Sequence, residues 1–493
     1  MAAPDTPGMI GCKPHSGSVR GTAYGMLFSG LLCSGLLLSD LLFRNVFPAP
    51  AYHNPKQICE VFPSMKKRLH AAQSSDSSPA GGLIDSPYAG GLRISLTSSL
   101  GQIPVPGAKV TISVTGQPDS VVERLTTDDS GQTPLIELPA PALEYSLEPS
   151  EVRPYSEYNI SVEAPGYEPV LVEASEILPD VTSLQPIALI PQKEPGQTED
   201  ILIPEHTLYG DYPPKLPEAE IKPLEETGQI VLSRVVIPEY VVVHDGVPSD
   251  SSAPDYYVRY TDYIKNVACS EIYATWPEDT IYANILAIMS FTLNRVYTEW
   301  YRSQGYNFTI TSSTAYDQKW IYGRNIFENI SVLVDTIFAN YLSRPGVRQP
   351  ILTSYCDGRR VNCSGLSQWG SKYLGDEGYS AIDIIHYYYG NDMYINTAEA
   401  ISGIPSSWPG YDLTIGSTGQ KVYQLQEQLN RIRQNYPALP YVTPDGIYGQ
   451  RTANAVRTFQ EVFGLPATGV ADYPTWYQIS RIYVGVSRIA EPD

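Results

Sequence analysis

The sequence predicts a multidomain α+β protein, with an N-terminal all-β sandwich, a central α+β domain and a C-terminal three-helix domain. A chain of 493 residues is long enough for about three domains. Apolar residues alternate in short segments in the first half and follow helical spacing in much of the second half. Acidic residues outnumber basic ones by 53 to 33, which argues against nucleic-acid binding, because a phosphate backbone attracts the opposite charge. A hydrophobic content of 42% excludes a wholly disordered chain.

Residues 1–82 differ from the rest and are interpreted as an uncertain leader. The apolar run at 24–43 is long enough for a signal peptide or a membrane anchor, since about 20 apolar residues span a bilayer. The alternative is a start assigned too early, with Met26 or Met65 closer to the true one. A membrane is therefore a partner only if the 24–43 segment is a real anchor.

Residues 83–193 are expected to form a small antiparallel β-sandwich. Residues 92–96 and 110–114 alternate with a period of two, and glycine- and aspartate-rich turns separate such segments. The pattern resembles the carboxypeptidase-regulatory or transthyretin-like sandwich, and no catalytic constellation occurs in it. The residues behind this resemblance are Pro106, Gly107, Ala108, Thr127, Asp128, Gly131, Gly166 and Tyr167. The Pro- and Glu-rich residues 194–235 predict an extended, semi-rigid connector.

Glu271 is the main candidate catalytic residue. It follows Ile264, Val267 and Ala268 at helical spacing, which places its carboxyl group on the apolar face of its own helix. Burial disfavours the charged form of a carboxyl group, and a general acid must be protonated. The alternative is a structural glutamate whose charge is satisfied by a neighbouring cation or amide.

Glu278 and Asp279 follow Trp276 and Pro277 at the start of a longer predicted helix. They could supply the second carboxylate of a two-carboxylate mechanism. Acidic side chains also stabilise the positive end of a helix dipole, and we favour that role.

Cys356 and Cys363 lie seven positions apart in a predicted loop. They are interpreted as a disulfide in an oxidising compartment or as two free thiols otherwise. No metal site is expected, because zinc requires further ligands and no histidine lies nearby before His386.

Residues 236–400 resemble the stage II sporulation protein D domain. The motifs behind this resemblance are Ser270-Glu271-Ile272, Trp276-Pro277, Gly365-Leu366-Ser367-Gln368-Trp369-Gly370 and Tyr387-Tyr388-Tyr389-Gly390. The resemblance implies a lytic transglycosylase in which Glu271 is first the acid and then the base. The family's metal-binding His and Cys cluster is absent here, apart from Cys356 and Cys363, and we expect no cofactor. It also implies that Ser367, Gln368 and Trp369 line the substrate groove, although a tight loop bonded to its own backbone explains Ser367 and Gln368 equally well.

The resemblance has departures that keep other functions open. Asn284 and Met289 occupy positions where the family usually carries glutamine and arginine. The alternatives are a peptidoglycan hydrolase that uses water, either a muramidase or an amidase, and a non-catalytic cell-wall-binding protein.

Residues 411–490 predict three helices separated by glycine turns. The segment resembles the type 1 peptidoglycan-binding domain. The main residues behind this resemblance are Gly416, Gly419, Val422, Leu425, Gln426, Leu429, Asp445, Gly446, Tyr448, Gly449, Thr452 and Phe459.

The order of the predicted domains resembles the clostridial-type spore cortex-lytic enzymes (the SleC family). This resemblance implies cell-wall degradation during spore germination, with peptidoglycan glycan strands as substrate. It further implies an extracytoplasmic location, in the spore cortex or coat or in the cell wall. The family is stored as a zymogen that a subtilisin-like protease activates, and by that analogy the sandwich is the propeptide.

Overall fold

The computed structural model describes residues 86–487, apart from 101, 193–196, 223–234, 399, 402–408 and 410. The predicted leader at residues 1–82, including the 24–43 segment, lies outside the described residues. Across the described ranges, no helix combines the length and the apolar character that crossing a membrane requires.

The part of the first domain that the structure describes contains eight strands and a helix of one turn. They are β1 (Ala89–Ser98), β2 (Lys109–Val114), β3 (Gln117–Thr126), β4 (Ile136–Pro139), α1 (Glu144–Leu147), β5 (Ser156–Glu163), β6 (Val170–Ile177), β7 (Thr182–Leu189) and β8 (Glu199–Leu202).

Within the described residues, the central domain contains five α-helices, ten short strands and one 3-10 helix (Arg302–Gln304). They are β9 (Val236–Ile237), β10 (Tyr240–His244), β11 (Asp255–Arg259), α2 (Tyr260–Glu271), α3 (Glu278–Tyr297), β12 (Ile310–Thr311), β13 (Ile326–Phe327), α4 (Glu328–Ile337), β14 (Asn340–Ser343), β15 (Tyr355–Cys356), β16 (Leu366–Ser367), α5 (Gln368–Asp376), α6 (Ala381–Tyr389), β17 (Tyr394–Thr397) and β18 (Ala400–Ile401).

Two sheets form the sandwich, in the orders β3-β2-β5-β6-β8 and β13-β7-β1-β4. The expected antiparallel arrangement is wrong at two points, because β1 pairs with β7 and β6 pairs with β8 in parallel. β8 belongs to the predicted connector and β13 to the central domain, so the sandwich takes a strand from each. Ile94, Ile112 and Ile160 are fully buried between the sheets, as the alternating pattern predicts.

A buried ion pair joins the sandwich to the central domain. The Arg324 Nη2 atom lies 2.7 Å from Glu176 Oε2, and neither side chain is more than 2% exposed. Asn325 adds a hydrogen bond of 2.8 Å to the Glu176 carbonyl oxygen. Because a strand, an ion pair and an amide all cross this boundary, the two domains share packing and do not simply sit side by side.

Helix α3 is the central helix of the second domain. Pro277 precedes it, which suits a helix start because proline has no N–H to leave unbonded. Sixteen of its 20 residues are buried. Met289 is fully buried in the core, and Asn284 donates to Thr280 and to Ser371 of α5, so both unusual residues have structural roles here.

The C-terminal region consists of α7 (Gln420–Arg433), α8 (Gln450–Val462) and α9 (Tyr473–Ser487). Leu425, Leu429, Val456 and Phe459 are at most 1% exposed, as their helical spacing predicts. The molecule is therefore a mixed α+β protein with a C-terminal helical region.

Candidate active site

Glu271 is the last residue of α2 and is only 4% exposed. The preceding residues of the same helix face, Ile264, Val267 and Ala268, are completely buried. The carboxyl group therefore lies at the end of an apolar helix face, where it is shielded from bulk water.

Two groups from distant parts of the chain hold the Glu271 carboxyl oxygens. The Lys319 backbone N–H donates to Oε1 at 3.0 Å, and the Gln368 side-chain amide donates to Oε2 at 3.2 Å. Gln368 is 97 positions away in the chain. The structure thus brings together two motifs of the sporulation-D-like pattern that lie far apart in the chain.

Ser367 and Trp369 flank Gln368 but have different surroundings. The Ser367 hydroxyl caps helix α5 by accepting a hydrogen bond from the Gly370 N–H at 2.9 Å. Trp369 is 4% exposed and packs against Trp276 with ring centroids 5.0 Å apart. Of the three predicted groove residues, only Gln368 touches Glu271.

Glu278 and Asp279 do not line the cavity that contains Glu271. Asp279 accepts a hydrogen bond of 3.0 Å from the Ala381 N–H and so fixes the start of α6. Burial, reinforced by the neighbouring Asp279 charge, raises the pKa of Glu278. Neither residue is placed to act as the second carboxylate.

Cys356 and Cys363 form a disulfide, with Cα atoms 6.0 Å apart. The bond closes a loop in which Asp357 accepts backbone hydrogen bonds from Arg359, Arg360 and Val361. These hydrogen bonds fix the loop at the edge of the Glu271 cavity and engage both Asp357 oxygens.

The connector forms the opposite wall of this cavity. We call residues 205–217 the strap. Its Lys215 Nζ lies 4.0 Å from Glu271 Oε1 and 4.4 Å from the centre of the Tyr355 ring, and it donates to the Asp317 carbonyl oxygen. Burial lowers the pKa of Lys215, and the nearby Glu271 charge offsets part of that effect.

The cavity beside Glu271 is small, at about 60 Å³. Pockets that bind small molecules usually measure roughly 300–1,000 Å³, and one water takes up about 30 Å³ of liquid. With the strap in place, the space beside Glu271 is therefore well below that of a usual ligand pocket.

A positive charge holds the side chain of Ser270, the residue just before Glu271. Arg324, which pairs with Glu176, also donates from Nη1 to the Ser270 hydroxyl at 3.0 Å. The sandwich therefore contributes indirectly to the position of the candidate carboxyl group.

A metal site is not evident in the part of the chain that the structure describes, where no group of three His, Cys, Asp or Glu side chains could hold an ion.

Sequence reasoning missed two lysines at the site. Lys215 lies in a segment whose composition indicates only an extended connector, and Lys319 contributes through its backbone N–H, which any residue type could supply. No sequence signal identifies either one, because both act through contacts between distant parts of the chain.

Comparison with known proteins identifies a domain in the C-terminal region. Residues 418–479 match the family model of a putative peptidoglycan binding domain, which confirms the peptidoglycan-binding domain predicted in this region. No curated protein matches the chain. The match indicates binding to peptidoglycan and a location associated with the cell wall.

Proposed function

We propose that this protein is a peptidoglycan lytic transglycosylase that cleaves the bond between N-acetylmuramic acid and N-acetylglucosamine. The observation that supports this most is the contact between Glu271 and Gln368, which joins the two motifs of the sporulation-D-like pattern around one shielded carboxyl group. The peptidoglycan binding domain of the same chain would hold that carboxyl group near its substrate.

The proposed reaction needs one carboxyl group. Protonated Glu271 gives its proton to the glycosidic oxygen as the bond from muramic C1 to that oxygen breaks. The resulting carboxylate then takes the proton of the muramic C6 hydroxyl, whose oxygen bonds to C1 and closes a 1,6-anhydro ring. Gln368 and the Lys319 N–H orient the carboxyl group during both steps.

The geometry favours this route over a hydrolase that activates water with a second carboxylate. Asp357 is the other carboxylate that lines the described cavity, and its oxygens already accept three backbone hydrogen bonds. A non-catalytic wall-binding protein remains the second candidate, because the strap narrows the cavity beside Glu271 in the structure described.

The biological setting that we propose is the spore cortex, with activation by a subtilisin-like protease during germination. The covered state of Glu271 supports storage in an inactive form.

The test compares the full chain with Glu271→Gln, each treated with a subtilisin-like protease and incubated with purified sacculi. Loss of a positioned general acid should slow the fall in turbidity by roughly 10²–10⁴-fold. Glu278→Gln is the matched control and should retain activity. Both variants should still sediment with sacculi, and a Glu271→Gln protein with near-normal activity would refute the assignment.

A further inference from the structure

The strap is attached across the site by bonds on both sides of Glu271. The Thr207 N–H and hydroxyl both donate to the Ser270 carbonyl oxygen, at 3.2 and 2.7 Å. The Leu216 N–H donates to the Ala315 carbonyl oxygen at 2.7 Å. The strap is therefore bonded in place over the groove.

The middle of the strap contacts the disulfide loop. Arg360 of that loop donates to the Gly210 carbonyl oxygen, so the guanidinium group at the groove edge is taken by strap backbone. Thr207, Gly210 and residues 212–215 together form the strap wall of the cavity.

Lys215 is the strap side chain that reaches the candidate catalytic group. Its side chain is 13% exposed and that of Glu271 is 6% exposed, so the ion pair lies in shielded surroundings where charges interact strongly. A lysine ammonium at this position balances the carboxylate charge and fills the space that a substrate oxygen would need to reach Glu271.

The sandwich does not cover the cavity. No described residue between 86 and 192 lines it. The sandwich instead gives β7 to pair with β13 and Glu176 to pair with Arg324. The connector thus covers the cavity, and the sandwich supports the central domain beneath it.

We infer that the strap is an autoinhibitory segment and that Lys215 is its inhibitory side chain. This inference rests on the proposed function, and it differs from the expectation that the sandwich as a whole is the mask. Activation requires the strap to leave its bonds with Ser270, Ala315 and Arg360, wherever the chain is cut. Arg360 and Glu271 then face the substrate together.

The experiment measures access to Glu271 without relying on activity. The intact chain is treated with a water-soluble carbodiimide and an amine, and the modification of Glu271 is followed by peptide mass spectrometry. Lys215→Glu places a carboxylate beside Glu271 and should open the strap by repulsion. We expect the labelling rate to rise roughly tenfold or more, because it follows the population of the open state. Lys109→Glu, an exposed change in β2, is the charge-matched control and should leave labelling unchanged.

A second variant guards against misfolding. A disulfide between Leu216→Cys and Ala315→Cys should lock the strap to the central domain, since the backbones of these two residues are hydrogen-bonded. The oxidised variant should stay unlabelled and inactive after protease treatment. Reduction should restore the labelling of Glu271 and the activity, and wild type under the same reductant is the reference.

The outcomes separate the two claims. Faster labelling of Lys215→Glu without any cleavage of sacculi would support the strap and overturn the proposed enzymatic function. A folded Lys215→Glu protein with unchanged labelling would overturn the inference that the strap is autoinhibitory. A locked protein that is labelled at the wild-type rate after protease treatment would overturn it too.

Discussion

Glu176→Gln should destabilise the central domain although the substitution lies in the sandwich. It removes the charge that faces Arg324, whose side chain has no exposed surface. Breaking one partner of a buried ion pair costs about 3–5 kcal/mol, because the remaining charge stays buried without compensation. We expect a loss of that size in the free energy of unfolding.

Tryptophan fluorescence during urea denaturation measures this effect selectively. None of the six tryptophans lies in residues 1–193, so the signal reports on regions outside the sandwich. If the two domains share one cooperative core, the Glu176→Gln transition moves to lower urea. Glu123→Gln, an exposed change in β3, should leave it in place.

The double variant Glu176→Met with Arg324→Met sharpens the test. Replacing a whole buried pair by apolar residues is often nearly neutral, so the double variant should recover much of the stability lost by the single one. A Glu176→Gln protein whose unfolding free energy, measured by fluorescence, falls by less than about 1 kcal/mol would refute the reasoning, because breaking a buried ion pair costs about 3–5 kcal/mol.

Three further predictions concern the connector, the disulfide loop and the wall-binding domain. Burial raises the pKa of Glu218, but its bonds with Arg295 and Lys222 outweigh this and hold the pKa below the usual 4.5. Glu218→Gln should therefore lower the free energy of unfolding by about 1–3 kcal/mol at neutral pH. The difference from wild type, measured by urea denaturation, should shrink as the pH falls below 4.5. Replacing Cys356 and Cys363 by serine should lower the unfolding free energy by up to about 2.5 kcal/mol, because a short loop is no longer closed in the unfolded chain, and reductant should abolish the difference. Gln426→Leu should lower the free energy of unfolding by about 2–4 kcal/mol and weaken co-sedimentation with sacculi, because the buried amide of Gln426 holds the turn before α8.

Local patterns predicted much of the architecture. The three C-terminal helices follow from helical spacing and glycine turns, and the family match confirms the nature of that domain. The strands of the sandwich follow from alternation, which reports burial on one face and needs no knowledge of partners. The spacing of Ile264, Val267 and Ala268 likewise places Glu271 on a buried face, as the structure has it. Its catalytic role stays a prediction.

Long-range pairing could not be predicted in the same way. The parallel contact of β1 with β7 and the addition of β13 depend on how distant segments meet. The cysteine pair was ambiguous because spacing alone does not distinguish a bond from two thiols. Lys215 lies in a proline-rich segment that looks like a spacer, and its role depends on a polar contact with a helix end far along the chain.

The central claim is that Glu271 transfers one proton out and back while the substrate's own hydroxyl closes a ring. Mass spectrometry of the soluble products released from sacculi by the protease-treated chain tests it most directly. The account predicts fragments that end in 1,6-anhydro-muramic acid, resist borohydride reduction and disappear with Glu271→Gln. Fragments with reducing ends, or anhydro fragments formed equally well by Glu271→Gln, would contradict it.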